Sequence, residues 1–401
     1  MRRTRAISLA DQVLSNASNA LFTFLLAGLA SAAAFGQFAV GYATLAFGVA
    51  AWRSGLGYQV SMKSGDSDAV RTESHRALAV SFLASPILAV VVLAAGGLLG
   101  GHADPVLAWG LAIATPFVLT QDLLRYSAVA AGKASIALIS DSVWAALMLV
   151  AVVGRVQEVL QPAWLVGLWC AGAVVATLVL ILALGARPQI AGARGWIRDS
   201  WRGRSHLLGG ALGAAASVPV TAALVARIAS PEVVGATTGA GQLMAPVNSL
   251  VAWLSLTLLA HASLAKPAQK LRIFARAGLS AGGLTLAWAV VLVILPAAVG
   301  RALLGDTWSL ASTVLPIVAA QYAIAVLAST GDMLLMSLGQ TRQVMINGLV
   351  VAGTRVALGC GAATVFGTAI AATSAEAVTM AVWLSAATVG VVRGRRWAAP
   401  G

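Results

Sequence analysis

The sequence predicts an all-α membrane protein of about 12 transmembrane helices, arranged as two six-helix bundles that repeat one another around a central cavity. Three observations predict this fold: a composition poor in charge, apolar stretches separated by charged breaks, and a similarity between the two halves of the chain. Hydrophobic residues make up 59% of the 401 residues and charged residues only 10%. Soluble domains carry about 25% charged residues. The composition therefore indicates a polytopic membrane protein.

The apolar stretches define the predicted spans. A helix needs about 20 residues to cross a hydrocarbon core of about 30 Å. The cores of the twelve predicted spans are residues 6–29, 35–52, 77–99, 106–126, 135–154, 163–185, 207–228, 233–259, 277–300, 310–336, 344–365 and 368–392. The predicted domains are an N-terminal bundle at 1–186, a basic cytoplasmic linker at 187–206 and a C-terminal bundle at 207–401.

The basic residues predict the orientation in the cell membrane. If the N-terminus is cytoplasmic, 22 of the 26 lysines and arginines fall in cytoplasmic segments, and only Arg155, Arg227 and Arg301 fall in outer loops. This asymmetry follows the positive-inside rule and predicts that both termini are cytoplasmic. It also accounts for the net charge of +13. Nucleic acid, which such a charge would suggest for a soluble protein, is therefore not expected as a partner.

The first span, Ala6 to Leu29, carries an unusual polar stripe. Its members recur every three or four residues and are Ser8, Asp11, Gln12, Ser15, Asn16 and Asn19. On a helix they share one face, which lipid cannot solvate, so this face must turn toward protein or water. The alternative is a cleaved secretory signal ending near Ala30-Ser31-Ala32. The polar stripe and the repeat both argue against cleavage.

The two halves resemble one another at two places. The segment Leu29–Gln37 aligns with Ile228–Ala236 at an offset of 199 residues. The segment Thr120–Lys133 aligns with Thr330–Arg342, pairing an aspartate in each half at an offset of 210 residues (Asp122 and Asp332), if a gap of about one helical turn is allowed. Two six-helix halves of like orientation form a parallel repeat, and transporters place their substrate path between such repeats.

Charged residues within the spans are the main functional candidates, because ionisable groups in a membrane usually face a partner or a pathway. Asp11, Asp122, Arg125 and Asp141 all lie toward the predicted cytoplasmic side of the first half. We expect them to form one cluster, with Asp122 and Arg125 paired on one face of span four. The cluster is either a salt-bridge network that joins spans one, four and five, or part of a substrate path.

In the second half, Asp332 and Arg355 approach mid-depth from neighbouring spans and are expected to form an ion pair. The pair is either structural, or Arg355 meets a phosphate, to which a guanidinium fork is suited. Uncharged polar residues of this half suit sugar hydroxyls but also serve as interhelical contacts. The predicted substrate path comprises Asp11, Asn16, Asn19, Arg125, Asp141, Gln242, Asn248, Gln321, Asp332 and Arg355.

Sequence motifs of catalysis are not found. There is no HExxH, P-loop or GxSxG pattern, and the four histidines are scattered in loops. The chain is therefore not expected to be an enzyme, to hydrolyse ATP, or to hold a metal or another cofactor. Active transport would be coupled to a proton or a sodium ion, carried by Asp11, Asp141 or Asp332.

Four segments carry a resemblance to a known family: AGLASAAAFGQFAVGYATLAF, QDLLRYSAVAAGKASIALISDSVW, SPEVVGATTGAGQLMAPVN and LLGDTW. With these segments the chain resembles the MATE-like MOP superfamily, specifically its Wzx-type polysaccharide flippases. The family's leucine-glycine-proline-acidic run before phenylalanine-glycine is reduced to Phe35-Gly36 in the first half, while the second half keeps Ser230-Pro231-Glu232 and Gly235.

The resemblance implies two six-helix bundles around a central cavity and transport by alternating access. The implied cargo is a lipid-linked oligosaccharide or polysaccharide precursor, with the membrane lipid as a second partner. The nearest alternative is a cation-coupled multidrug exporter of the same superfamily. A net negative cavity would favour the exporter, whereas Arg125 and Arg355 without partners would favour the flippase.

The predicted loops argue against two further functional classes. A major-facilitator porter also has six plus six spans, but the loop of residues 53–76 lacks the glycine, Asp-Arg and glycine-arginine pattern of that class. A membrane glycan polymerase needs a large extracytoplasmic loop for its site. The predicted outer loops, of about ten residues, are too short for one.

Overall fold

The structure, a computed structural model, describes residues 2–61, 63, 66–98, 104–191, 193–251, 254 and 266–397. Within these residues the regular structure is helical throughout, with no β-strand. The all-α prediction is confirmed. The chain forms two compact units, Met1–Leu208 and Gly209–Gly401.

The first unit begins with the polar helix of the predicted first span. Its helices are α1 (Arg2–Leu29), α2 (Ala32–Trp52), α3 (Tyr58–Ser61), α4 (Ser67–Leu93), α5 (Pro105–Ala130), α6 (Ala134–Val156) and α7 (Pro162–Leu184). Two five-residue π-helical segments, Arg53–Gly57 after α2 and Ala94–Leu98 after α4, extend these helices. Such π-helical segments are uncommon and often lie at functional sites.

The second unit is entered through a long helix that begins within the predicted basic linker. The remaining helices are α8 (Ala193–Ile228), α9 (Pro231–Leu243), α10 (Pro267–Val293), α11 (Ala297–Leu304), α12 (Trp308–Ser337), α13 (Thr341–Val365) and α14 (Ala369–Trp397). A 3₁₀ turn, Gly305–Thr307, joins α11 to α12. After a turn at Met244, residues 245–251 are again helical.

In the described part of the chain, nine helices are long and apolar enough to cross a membrane. The chain is thus a multi-pass membrane protein. Helices α1 and α8 contain the predicted spans 6–29 and 207–228 but are not among these nine. In α8 the apolar stretch is the shorter segment Leu212–Ile228. The predicted span 233–259 lies partly outside the described residues.

Several helices begin before their predicted apolar cores. Helix α4 starts at Ser67, ten residues ahead of the predicted core at 77, because Asp66 caps it by accepting hydrogen bonds from the backbone N–H groups of Asp68 and Ala69 at 3.1 and 3.0 Å. Helix α10 likewise begins at Pro267, a residue well suited to a first helical turn. An apolar run marks only the part of a helix that lies in lipid.

The repeat is visible in matching turns. Gly132 after α5 and Gly339 after α12 both have a left-handed backbone, with φ of 74° and 75°, which glycine adopts without steric cost. These glycines are 207 residues apart, as are the first residues of α6 and α13 and those of α7 and α14. No gap is needed, and Arg125 is equivalent to Asp332. The predicted alignment of Asp122 with Asp332 is therefore wrong by one helical turn.

The two units also repeat their helix packing. In the first unit α5 packs against α2, α4 and α7, and α6 packs against α1 and α7. In the second unit α12 packs against the equivalent helices α9, α10 and α14, and α13 packs against α14. Thr221 of α8 lies against Gly359 of α13, which completes the correspondence with α1 and α6. Small residues at such contacts allow close approach of helices.

An aromatic layer fills the core of the first unit beside this packing. Phe22 of α1 stacks on Trp169 of α7 with ring centroids 4.8 Å apart, and Trp144 of α6 lies 5.6 Å from Trp169. We refer to Phe22, Trp144 and Trp169 as the aromatic layer. Its rings join α1, α6 and α7 by apolar contact.

Candidate functional site

Arg125, on α5, is the centre of a buried ionic cluster in the first unit. Its side chain is only 7% exposed. Nη2 donates a hydrogen bond to Asp11 Oδ2 at 2.7 Å and lies 3.2 Å from Asp141 Oδ2, while Nη1 donates to Ser15 Oγ at 3.2 Å. A single guanidinium therefore ties α1, α5 and α6 together, as expected from the sequence.

Asp122, one turn before Arg125, brings a second arginine into the cluster. Arg53 Nε and Nη2 donate to the two carboxylate oxygens of Asp122, both at 2.8 Å, a bidentate geometry. Arg125 Nη1 is 3.5 Å from the same carboxylate. From the sequence, Arg53 was assigned only to a cytoplasmic segment, and its role in the cluster was missed. We name Asp11, Arg53, Asp122, Arg125 and Asp141 the Arg125 cluster.

The Arg125 cluster holds three carboxyl groups and two guanidinium groups. If all were ionised, these five described side chains would carry a net charge of −1, and an excess charge is costly in a buried site. Asp11 Oδ1 and Asp141 Oδ2 accept no well-aligned hydrogen bond from the described residues, and the two carboxyl groups both contact Arg125 Nη2, at 2.7 and 3.2 Å. Asp11 and Asp141 thus form a carboxyl pair that shares one nitrogen of Arg125.

Neutral side chains fix Asp141 in place. Gln121 Nε2 donates to Asp141 Oδ1 at 2.6 Å, and the neighbouring Ser140 hydroxyl donates to the backbone carbonyl of Ala176 at 3.0 Å. These bonds hold the first turns of α6 against α5 and α7. Asp141 is therefore positioned by neutral hydrogen-bonding partners on neighbouring helices.

The polar stripe of α1 faces the interior of the first unit. Asp11 is buried and Asn16 and Asn19 are half-buried, whereas Val13 on the opposite face is 50% exposed. Asn16 accepts a hydrogen bond from Gln12 at 3.3 Å, and Asn19 donates to the backbone carbonyl of Ser15 at 3.0 Å. For Asp11, the prediction that this stripe turns toward protein or water is confirmed, and for the half-buried asparagines it stays a prediction.

In the second unit, the expected pair of Arg355 with Asp332 is wrong. Arg355 instead binds Glu376 of α14: Nε donates at 2.9 Å and Nη2 at 2.6 Å. Its Nη1 donates to Ser217 Oγ at 2.9 Å and to the carbonyl of Ala214 at 3.3 Å. All three nitrogens of this guanidinium thus have partners.

Asp332 is held by neutral donors. Asn347 Nδ2 donates to Oδ1 at 2.6 Å and Trp383 Nε1 donates to Oδ2 at 2.8 Å. Helix geometry explains the mistaken pairing. Asp332 lies five residues before the end of α12, about 8 Å from the turn, whereas Arg355 lies fourteen residues into α13, about 21 Å from it. In antiparallel neighbours these depths do not meet.

The remaining predicted residues are dispersed. Gln242 on α9 and Gln321 on α12 are half-buried, and Asn248 is exposed. The side chain of Asn248 contacts the Tyr322 hydroxyl, which donates to the carbonyl of Gly241 at 3.4 Å. Within the described residues, no group of three or more His, Cys, Asp or Glu side chains is arranged to hold a metal ion.

Comparison with protein families and with curated proteins finds no match. Solved structures do match over nearly the whole chain. An inward-facing multidrug resistance MATE family transporter of the MOP superfamily shares 13% identity at a TM-score of 0.72, with 98% of each chain covered. The lipid II flippase MurJ, in an inward closed conformation, shares 12% identity at a TM-score of 0.70, covering 98% of this chain and 88% of MurJ.

A MOP superfamily transporter from Pyrococcus furiosus shares 13% identity at a TM-score of 0.65, covering 99% of this chain and 94% of that one. At such identities the likeness establishes the fold. The chain has the fold of MOP superfamily transporters, which agrees with the predicted fold, whereas the resemblance to Wzx-type flippases stays a prediction. Its structural neighbours are transporters and flippases rather than enzymes.

Proposed function

We propose that the chain is a secondary transporter that binds its coupling proton at the carboxyl pair of Asp11 and Asp141 and moves a lipid-linked oligosaccharide or polysaccharide precursor across the cell membrane by alternating access. The observation that supports coupling is the Arg125 cluster, in which two guanidinium groups face three buried carboxyl groups. The cluster is neutral only with one additional positive charge.

The proton has a mechanical consequence within the first unit. Asp11 lies on α1 and Asp141 on α6, so a proton shared between them joins the two helices. When the proton leaves, two carboxylates in contact repel each other in a medium of low dielectric constant. The contact between α1 and α6 therefore strengthens and weakens with proton binding, which is how a cation gradient can drive a change of conformation.

Two observations bear on the cargo. The sequence resemblance to Wzx-type flippases, and a fold like that of a lipid II flippase, support a lipid-linked saccharide. The paired state of Arg125 and Arg355 favours a second candidate, a cation-coupled multidrug exporter, because neither arginine offers a free guanidinium to a phosphate. The negative excess of the Arg125 cluster points the same way.

The experiment uses purified protein in proteoliposomes that contain a fluorescent lipid-linked oligosaccharide, with and without an imposed proton gradient. We expect gradient-driven translocation by the wild type, its loss in Asp11→Asn, and its retention in the control Asp306→Asn, which alters an exposed carboxylate. Translocation driven by a sodium gradient alone would show that the coupling ion is sodium and not a proton. Uptake of a cationic dye without glycan translocation would favour the exporter, and movement of neither cargo would contradict transport.

A double-mutant cycle tests whether Arg355 touches the cargo. If its role is the ion pair, Arg355→Ala and Glu376→Ala should each lower the thermal unfolding midpoint, and the double variant should recover both stability and transport, since no unpaired charge remains. If Arg355 binds a phosphate of the cargo, the double variant should be stable and inactive. The second outcome would support the flippase.

A further inference from the structure

Arg53 reaches the Arg125 cluster from a segment that is firmly packed. It is the first residue of the π-helical segment Arg53–Gly57. Leu56 is buried in an apolar cluster with Leu123 of α5, and Gly57 lies against the ring of Tyr126 so closely that a Cβ would be 3.1 Å from it. The backbone of Arg53 is therefore fixed beside α5, and its side chain is aimed at Asp122 by the fold.

A continuous line of charges runs from a partly exposed arginine to a buried aspartate. The side chain of Arg53 is 34% exposed and that of Asp122 is 5% exposed, while Asp141 at the far end is 1% exposed. Because the Arg53 fork occupies both oxygens of Asp122, Arg125 is left closer to Asp11, at 2.7 Å, than to Asp122, at 3.5 Å. Arg53 thus shares Asp122 with Arg125, whose closer contacts are Asp11 and Asp141.

We propose that Arg53 is a positioning residue that sets how tightly the carboxyl pair holds its proton, acting through Asp122 and Arg125. The inference rests on the proposed proton coupling. Without Arg53, Asp122 has Arg125 as its nearest cation and draws that guanidinium away from Asp11 and Asp141. The carboxyl pair then loses positive charge and keeps its proton to a higher pH.

Among the described side chains, few charges lie around the carboxyl pair, and a single substitution changes their net charge by one unit. Helix α5 contributes Asp122 and Arg125, and the π-helical segment contributes Arg53. Helix α7, Pro162–Leu184, contains no Asp, Glu, Lys or Arg, and the other close polar contacts of Arg125 and Asp141 are the neutral Ser15 and Gln121. The arginines at the start of α1 lie outside the described side chains.

The test follows the infrared C=O stretching band of protonated carboxyl groups as the protein in nanodiscs is titrated with pH, which needs no cargo. Asp11→Asn/Asp141→Asn identifies the band of the pair by removing it. In Arg53→Gln we expect the midpoint of this band to rise by about one pH unit, since one positive charge is lost. In Asp122→Asn the midpoint should fall, because one negative charge is lost.

The double variant Arg53→Gln/Asp122→Asn should return the midpoint to near the wild-type value, since the charge balance is restored even though both side chains have changed. Arg71→Gln, which removes an exposed cation of α4 outside the cluster, should leave it unchanged. If the wild type shows the band and Arg53→Gln leaves its midpoint unchanged, the role of Arg53 would be overturned while proton binding by the pair would stand. A wild type without the band would overturn proton binding by the pair, and this inference with it.

Discussion

Arg125 and Asp332 occupy equivalent places in the two repeats and carry opposite charges. Both lie on the helix before a left-handed glycine turn, 207 residues apart. Arg125 is surrounded by three carboxyl groups, whereas Asp332 receives two hydrogen bonds from the neutral side chains of Asn347 and Trp383. The first site has an excess of acidic groups around a fixed cation, while the second is a single carboxylate satisfied by N–H donors.

The same comparison can be made farther along the helices. Arg355 and Glu376, which form the ion pair of the second unit, are equivalent to Met148 and Trp169 in the first. Met148 and Trp169 are buried, and Trp169 belongs to the aromatic layer. Ionic and apolar contacts have thus changed places between the repeats while the helix packing is kept. The shared helix packing therefore does not require the same charged residues in both repeats.

The largest expected difference between the units concerns the loss of an arginine. Arg125→Ala leaves Asp11 and Asp141 buried beside each other without their cation, and breaking such a buried pair costs about 3–5 kcal/mol. Arg355→Ala leaves Glu376, whose side chain is 24% exposed, so hydration reduces the loss. The measurement is the midpoint of thermal unfolding in detergent. Equal midpoints for the two variants would contradict the contrast drawn between the units.

A smaller effect is expected when a carboxyl group of each unit is made neutral. Asp141→Asn should abolish the pH dependence of transport, because the carboxyl pair loses its shared proton. Asp332→Asn should leave the pH profile unchanged and cost about 1–3 kcal/mol of stability, since the new amide turns an N–H group toward Asn347 or Trp383. A shifted pH profile in Asp332→Asn would place coupling in the second unit as well.

An effect of similar size, confined to stability, is expected at the aromatic layer. A Cβ at Gly172 would overlap the Trp144 ring, whereas a Cβ at Gly167 on the same helix would meet nothing within 4 Å. Gly172→Ala should therefore destabilise the protein by about 1–3 kcal/mol through overpacking, and Gly167→Ala should be neutral or slightly stabilising. Thermal unfolding of both variants checks this. An unchanged Gly172→Ala would mean that the aromatic layer repacks freely.

Much of the fold was predictable from the sequence, because hydrophobic runs mark the segments in the hydrocarbon core and charged breaks mark the loops in water. The cluster of Asp11, Asp122, Arg125 and Asp141 was predictable for a related reason. Each of these charges lies in an apolar stretch at a similar distance from the same predicted membrane face. Charged side chains at one depth of a helix bundle form ion pairs because lipid cannot solvate them.

The pairings that were missed depend on geometry that spacing alone does not supply. Arg53 contacts Asp122 from the first residue of a π-helical segment that continues α2, and no residue pattern predicts such a segment. Glu376 was detectable, since it is a carboxylate inside the predicted span 368–392, and counting residues from the α12–α13 turn would have separated Asp332 from Arg355. Such counting converts an antiparallel connection into relative depth at 1.5 Å per residue.

The contact between Asp11 and Arg125 also constrains how the chain is made. The two residues are 114 positions apart. At about 5–20 residues per second, the ribosome completes the first helix about ten seconds before Arg125 is made. During that interval a carboxylate without its cation opposes entry of α1 into lipid. We therefore expect the nascent first helix to stay at the translocon or the membrane surface until α5 is made, so that the two helices enter the bilayer together.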